Sequence, residues 1–438
     1  MDTLTVEAPA GRLTGTLRRG VWRCHTIAYA AAAPFAPARR AAPADHDGRR
    51  PGAGELTLTL TAPHPWPAGA PVLVWIHGGR YEEGHPSEPW TNARLLAARG
   101  VVGVSLGYRK GLEGFWRDRE ADPLPAVADL LHALDWVRDN APALGGDPDR
   151  VTLAGQSAGA GLALTLATRP EAAGRVARVL AASPGFSHRS GGPVQRAAAA
   201  ALLRGPATRA RLARLHADSG PAAVAALYAR LRRLSPTEPA LGPHAAEGRP
   251  GLPLMVTATS EEFHFLPELR RLDARRGARA IARATALAHG GRGRLPADPA
   301  PMSRVISDAT IRRYAVGAAD AAVAAGVPVW AAEFRPGAGV GTGPAGPTSG
   351  APHCIELPRL FGREEHPFHE AALAFIMAGD PAAAAPGVPG DPGWPSYADP
   401  GRPARIYAGA GPACVASVAA DPWAEVRALF PAPRARRP

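Results

Sequence analysis

Lysine is nearly absent from this chain. Lys110 is the only one among 438 residues, so arginine carries the formal net charge of +12. The arginines are scattered (Arg18, Arg19, Arg39, Arg40, Arg232, Arg233, Arg275, Arg276), and no basic helix or zinc-finger spacing organises them. A nucleic-acid partner is therefore not expected. Cysteine is scarce too: Cys24, Cys354 and Cys414 make no disulfide framework, and a large core needs none. That agrees with a reducing, cytoplasmic setting. The apolar runs are short and alanine-rich, well below the roughly 20 residues of a spanning helix. The start, Met1 to Glu7, has neither a basic tip nor an apolar stretch, unlike a secretory signal. No membrane partner is expected, and nothing in the sequence fixes an oligomeric state.

What is present is a large apolar fraction, 46% of residues. No linker divides the middle, so residues 1–438 are expected to form one α/β domain. Residues 3–35 read as short strands. Glu55 to Thr61 alternates with period two and predicts a half-buried antiparallel strand near an edge. Residues 71–76, 101–106, 151–154, 178–182, 254–258 and 327–331 are apolar without alternation, as in strands covered on both faces. Helical spacing appears at 91–99 and 126–140. Strands alternating with helices predict a central, mostly parallel sheet flanked by helices.

Residues 191–250 and 265–320 break the rhythm. Their Ala, Arg and Leu content reads as helical insertions. Placed over the carboxyl ends of the strands they would shape a substrate pocket; otherwise they thicken the outer layer. Residues 336–351 and 380–396 are Gly/Pro-rich loops.

The strongest chemical signal is Gly155-Gln156-Ser157-Ala158-Gly159, between a buried strand and an alanine-rich helix. A serine on such a tight turn exposes its hydroxyl, and small neighbours let strand and helix approach. The Ala158 amide then stands at a helix N-terminus, ready to donate to an oxyanion. His77-Gly78-Gly79 ends another buried strand. The amides of Gly79 and Arg80 are the expected second source of oxyanion donors. A hydroxyl needs a base, and the lone lysine is not beside Ser157. In this fold the order is serine, acid, histidine. Glu261 and Glu262 are the candidate acids; His264, His353, His366 and His369 are the candidate bases. Spacing alone does not choose among them. His366 and His369 look superficially like a metal cluster but match no ligand motif, and a surface or helix-start role is expected. No metal or organic cofactor is required.

With those residues in view, the chain resembles the type-B carboxylesterase family over nearly its full length. Residues Gly15 to Ala30, Val74 to Gly79, Gly107-Tyr108-Arg109, Gly114-Phe115, Asp129 to Asn140, Gly145 to Pro148, Val151 to Gly159 and Trp394 to Tyr397 carry the resemblance. It implies an α/β-hydrolase fold and ester hydrolysis through an acyl-enzyme. It also implies Glu262 as the acid, because the family's acid lies in an acidic pair after a strand. The family's Gly-Ala-x-His-x-x-Glu-Leu segment falls on Gly350 to Leu357 and implies His353 as the base. Glu356 is expected to shape the loop.

Departures from the family pattern point to an unusual substrate. Arg80 stands where glycine or alanine is usual, and Phe263 where glycine is usual. Both are candidate substrate contacts. The Arg80 guanidinium either favours an anionic substrate or pairs with Glu82 or Glu83. Gly107 replaces an asparagine, and Leu130 a glutamine. The expected partner is a small-molecule ester or lactone. Two other readings remain open: a lactonase, cyclase or acyltransferase using the same serine, and a noncatalytic binding protein of the same fold.

Overall fold

The computed structural model describes residues 2–188, 190–234, 241–245, 251–338, 341–343, 346–348, 350–384 and 393–431. Parts of the insertion expected at 191–250 and of the loops expected at 336–351 and 380–396 lie outside them. The fold has two compact units: Met1–Val179 with Phe186–Ala246, and Leu180–Gly185 with Glu247–Pro438.

In the first unit the longer strands are β1 (Asp2–Ala8), β2 (Gly11–Arg18), β3 (Val21–Ala28), β4 (Thr57–Pro63), β5 (Ala70–Ile76), β6 (Val102–Leu106) and β7 (Gly146–Gln156). Their order is β1-β2-β3-β4-β6-β5-β7. The strands from β1 to β4 pair antiparallel, as does β4 with β6. β5 runs parallel to both β6 and β7. Every residue of β5 and β6 is buried, which is why their sequences lack alternation. Helix α1 (Pro125–Asn140) follows β6 and precedes β7. Pro125 occupies its first turn, and Ala126, Val127, Leu130, Ala133, Leu134 and Val137 make its buried face.

Two expectations fail here. β4 is neither half-buried nor near an edge: it lies between β3 and β6, and Thr57, Thr59 and Thr61 are buried. Its alternating polar residues are threonines, and the hydroxyls of two of them find partners. Thr59 shares a hydrogen bond with Ser87 (2.8 Å), and Thr57 donates to the Gly54 carbonyl. Residues 91–99 do not form one helix. A single 3₁₀ turn (Pro89–Thr91) and a four-residue helix (Arg94–Ala97) stand there instead, because Asn92 adopts an extended backbone.

The helical expectation for the two interrupting stretches is met in form. The first holds α3 (Pro193–Leu203) and α4 (Arg209–Arg232), which follow α2 (Ala158–Ala167). α4 kinks at Gly220, before Pro221. The second holds α5 (Pro267–Asp273), α6 (Ala278–Ala288), α7 (Pro301–Ser307) and α8 (Arg313–Ala324).

In the second unit, β8 (Arg178–Ala182) contributes from Leu180 onward. It is followed by β9 (Leu254–Thr259), β10 (Val329–Arg335), β11 (Pro403–Ala408) and β12 (Val415–Ala420), in sequence order. β9, β10 and β11 are parallel, and β12 closes the series antiparallel. β11 and β12 escaped the sequence reading. β12 is largely exposed, and each is short and alanine-rich, so neither offers a strong apolar run.

A buried ionic network supports this unit. Arg312 donates to Asp308 at 2.6 Å and to Glu333 at 2.7 Å. Glu333 also accepts from Arg335 and from the Trp423 indole. Both carboxylates are sealed from water, so each depends on its donors. Arg312→Ala is expected to destabilise the fold by about 3–5 kcal/mol in urea unfolding at neutral pH, because it leaves two buried charges short of a partner. A loss below about 1 kcal/mol would contradict this.

Candidate active site

Two sets of residues from the sequence reading assemble, one in each unit. The first surrounds Ser157. The parallel registers pair Ile76 with Leu106 and with Gly155, so the carboxyl ends of β5, β6 and β7 finish together. Ser157 leaves β7 with φ 56° and ψ −119° and caps α2, a conformation that a non-glycine residue adopts only when its surroundings hold it. The flanking glycines explain how it is held. A Cβ on Gly159 would lie 2.1 Å from the Ile76 carbonyl oxygen, and one on Gly155 would lie 2.4 Å from the Gly159 carbonyl carbon. Strand and helix meet at a distance only glycine permits.

The segment after β5 packs against this bend. A Cβ on Gly78 would sit 2.7 Å from the Gln156 side-chain oxygen and 3.4 Å from the Ser157 Cβ. Gly79, Arg80 and Tyr81 all have positive φ, at 102°, 56° and 65°. The Gly79 carbonyl accepts from the amides of Glu82 and Glu83, which closes the loop. His77 anchors its base. Its ring stacks on Tyr108 with centroids 4.6 Å apart, and its Nδ1 donates to the Gly78 carbonyl. Burial pushes the His77 imidazole down to about 3, so it stays neutral and serves the loop as a fixed donor. The Arg80 guanidinium is largely buried, which pulls it below its usual value, while the neighbouring Glu82 opposes that shift. Glu82 in turn pairs with Arg232 and accepts from Tyr228.

The second set is an acid and a histidine. Glu262 is fully buried just beyond β9. One oxygen accepts from the Thr259 amide (2.7 Å) and the Ser183 hydroxyl (2.9 Å); the other meets His353 Nδ1 at 2.5 Å. The Glu262 carbonyl accepts from the His353 amide, so backbone and side chain fix the same imidazole. Glu261 does different work: its carboxylate accepts from the Ala351 amide at 3.0 Å and ties down the loop that presents His353. The Phe263 ring stands 5.1 Å from the His353 ring.

Of the remaining candidate bases, none contacts an acid in this way. His366 follows α9 (Glu356–Leu360) and caps α10 (Pro367–Ala378) by accepting from the Phe368 amide, and burial lowers it to about 3. The helix-start expectation holds, but the residue is buried rather than on the surface. His369 bonds the Leu360 carbonyl. Ser183 was not foreseen. Its signal was a polar residue at the end of a buried strand, the position at which this fold gathers functional groups.

Glu356 is fully buried. Its two oxygens make no hydrogen bond of normal geometry among the described residues, and the nearby Ser183 hydroxyl is committed to Glu262. Burial, reinforced by the charge of Glu262, pushes the carboxyl up to about 7.

Residues 52–203 match the carboxylesterase family. The probable N-octanoylanthranilate hydrolase AqdA2 of Rhodococcus erythropolis is 37% identical over 185 residues, which is 36% of this chain and 41% of that protein. The para-nitrobenzyl esterase of Bacillus subtilis is 42% identical over 125 residues, 27% of this chain and 25% of that one. Each aligned stretch thus covers less than half of the curated relative. The structural likeness runs further: a solved PNB esterase superposes with a TM-score of 0.76 and 25% identity, covering 97% of this chain and 98% of its own. The Geobacillus stearothermophilus carboxylesterase EST55 gives 0.75 and 25%, with 97% and 99% coverage.

Residues 52–203 thus carry the likeness to the carboxylesterase family, and the chain as a whole shares the fold of the solved carboxylesterases. Its fold is that of the α/β-hydrolases, as the sequence implied. One departure from the family now has a physical reason. A Cβ at Gly107 would lie 2.4 Å from the Glu55 carbonyl oxygen, so asparagine has no room there. Two residues on, the Arg109 guanidinium grips buried Asp129 through hydrogen bonds of 2.9 and 2.6 Å.

The buried Glu356 gives a prediction with a definite sign. Its proton is held more tightly folded than unfolded, so stability falls as pH rises from roughly 4.3, the unfolded value, to about 7, and then levels. Glu356→Gln removes that decline. Urea unfolding at pH 5 and pH 8 is expected to shift in favour of the variant by about 1–3 kcal/mol at the higher pH. Parallel profiles for the two proteins would contradict it.

Proposed function

We propose that this protein is a serine hydrolase that cleaves carboxylic esters of small or medium-sized organic molecules through an acyl-enzyme, with Ser157 as nucleophile, His353 as base and Glu262 as the acid that orients it. The observation that carries the reading is the Glu262–His353 pair. The acid's other oxygen is saturated by Thr259 and Ser183, so the imidazole receives a charged, immobile partner at Nδ1. That partner fixes the tautomer whose Nε2 accepts a proton, and it stabilises the imidazolium without taking the proton itself.

In the first step, His353 removes the Ser157 proton as Oγ attacks the ester carbonyl. The negative oxygen that forms is held by the amides of Gly79, Arg80 and Ala158, each worth about 3 kcal/mol if aligned. The positive φ values from Gly79 to Tyr81 support this, because successive left-handed residues turn neighbouring amides toward one anion. His353 then protonates the leaving alcohol. Water, deprotonated by the same histidine, releases the acid and restores the serine. The helices at 191–250 and 265–320 are proposed to shape the substrate pocket, with Phe263, beside the His353 ring, contributing to its wall.

Ser157→Ala is expected to lower kcat on para-nitrophenyl acetate by at least about 10⁴-fold with an unchanged melting temperature. Retention of more than a hundredth of the activity would remove Ser157 from the reaction. Arg80→Gly tests the substrate contact separately. The ratio of kcat/KM for a carboxylate-bearing ester to that for its neutral analogue is expected to fall severalfold. An unchanged ratio would leave Arg80 only its backbone role.

A further inference from the structure

Four arginines of the second unit surround an open cavity of about 680 Å³, lined by Arg279, Ala280, Arg283, Arg292, Gly293, Arg294 and Leu295. None of the four is paired with a carboxylate among the described residues. Nearby Asp298 and Glu425 are both engaged by Arg304. An uncompensated cluster of this kind is uncommon, because like charges repel and each is usually placed beside an acid or spread into solvent.

The cluster rests on a rigid frame. The inner face of α6 is locked by Ala282 and Ala286, which pack with Leu295, Met302, Leu429 and Phe430. The facing segment is pinned to the end of α11 (Ala424–Leu429): Arg292 and Gly293 donate to the Leu429 carbonyl. A Cβ on Gly293 would lie 2.0 Å from the Ala428 carbonyl oxygen, so the backbone passes closer than any other residue allows. Two of the guanidinium groups are oriented from behind. Arg279 donates to the carbonyls of Leu295 and Pro296 at 3.0 Å, and Arg283 donates to Gly293. Those bonds use part of each fork and leave the other N–H groups for a ligand.

We propose that this cavity is a binding site for a phosphate-type polyanion. Arginine forks match phosphate oxygens in pairs. Because Arg279, Arg292 and Arg294 are exposed, a single charge would be screened, and a ligand with two or more charges is the one the site holds. The ligand is either a free polyphosphate or the headgroup of an anionic lipid. The second source has its own support, since Ile281 and Leu287 stand exposed on α6 beside the cavity residues. The site shares no residue with the proposed triad or its oxyanion amides.

Two probes test it on the full chain: calorimetric titration with inorganic pyrophosphate, and flotation with vesicles of phosphatidylglycerol against vesicles of phosphatidylcholine. The variant is Arg283→Ala with Arg294→Ala. The charge-matched control is Arg214→Ala with Arg230→Ala, both exposed on α4. Binding of pyrophosphate, or of phosphatidylglycerol vesicles alone, is expected for the native chain at about 0.15 M salt. It should weaken at least about tenfold in the variant and less than about twofold in the control. Pyrophosphate binding without flotation identifies a free phosphate; flotation without pyrophosphate binding identifies a headgroup; both support the site. If the double variant melts early, Arg294→Glu replaces it, since that exposed side chain makes no hydrogen bond among the described residues, and the same loss is expected. Absence of binding by either probe, or equal losses in variant and control, overturns the proposal.

Discussion

Two glycines set the terms for the rest of the first unit. Gly155 and Gly159 let β7 and α2 close on the carbonyl of Ile76, and in that closure Ser157 has no relaxed conformation available. A left-handed serine at the end of a buried strand is a cost that burial elsewhere offsets: β5, β6 and most of β7 are sealed. The bend also constrains the segment after β5. Gly78 packs on Gln156 and Ser157, and the loop beyond it must turn within a few residues. His77, neutral and stacked on Tyr108, holds that turn at its root.

The second unit solves a different problem, that of keeping a carboxylate charged without water. Glu262 receives a backbone amide, a hydroxyl and an imidazole, which leaves little of its charge unanswered. Glu333 is treated likewise by two arginines and an indole. Glu356 is the exception: it has no such set of donors, and its affinity for the proton rises accordingly. Glu333 and Glu356, both buried in one unit, thus shift in opposite directions because they differ in donors.

Much of this was legible in the sequence, for identifiable reasons. Buried parallel strands have unbroken apolar runs, so β5, β6, β7 and β9 were visible. The Gly-x-Ser-x-Gly turn was visible because its physics requires particular small residues. The choice of Glu262 over Glu261, and of His353 over three other histidines, was not readable from spacing and came from the family resemblance. The structure pairs those two residues, and it gives Glu261 a loop amide instead. β4 was misread because threonine is polar in a pattern yet satisfies its hydroxyl locally once buried. The strands β11 and β12 were missed because alanine-rich segments carry no periodic signal. Ser183 went unseen because its partner lies 79 residues away in sequence.

The central claim is that one hydroxyl, at Ser157, is activated by one imidazole, at His353. Reaction with a fluorophosphonate probe, followed by proteolysis and mass spectrometry of the modified peptide, tests it most directly. The account predicts a single adduct on Ser157, formed at least about 100-fold more slowly in His353→Ala. An adduct on another residue, or labelling of Ser157 at an undiminished rate without the histidine, would contradict it.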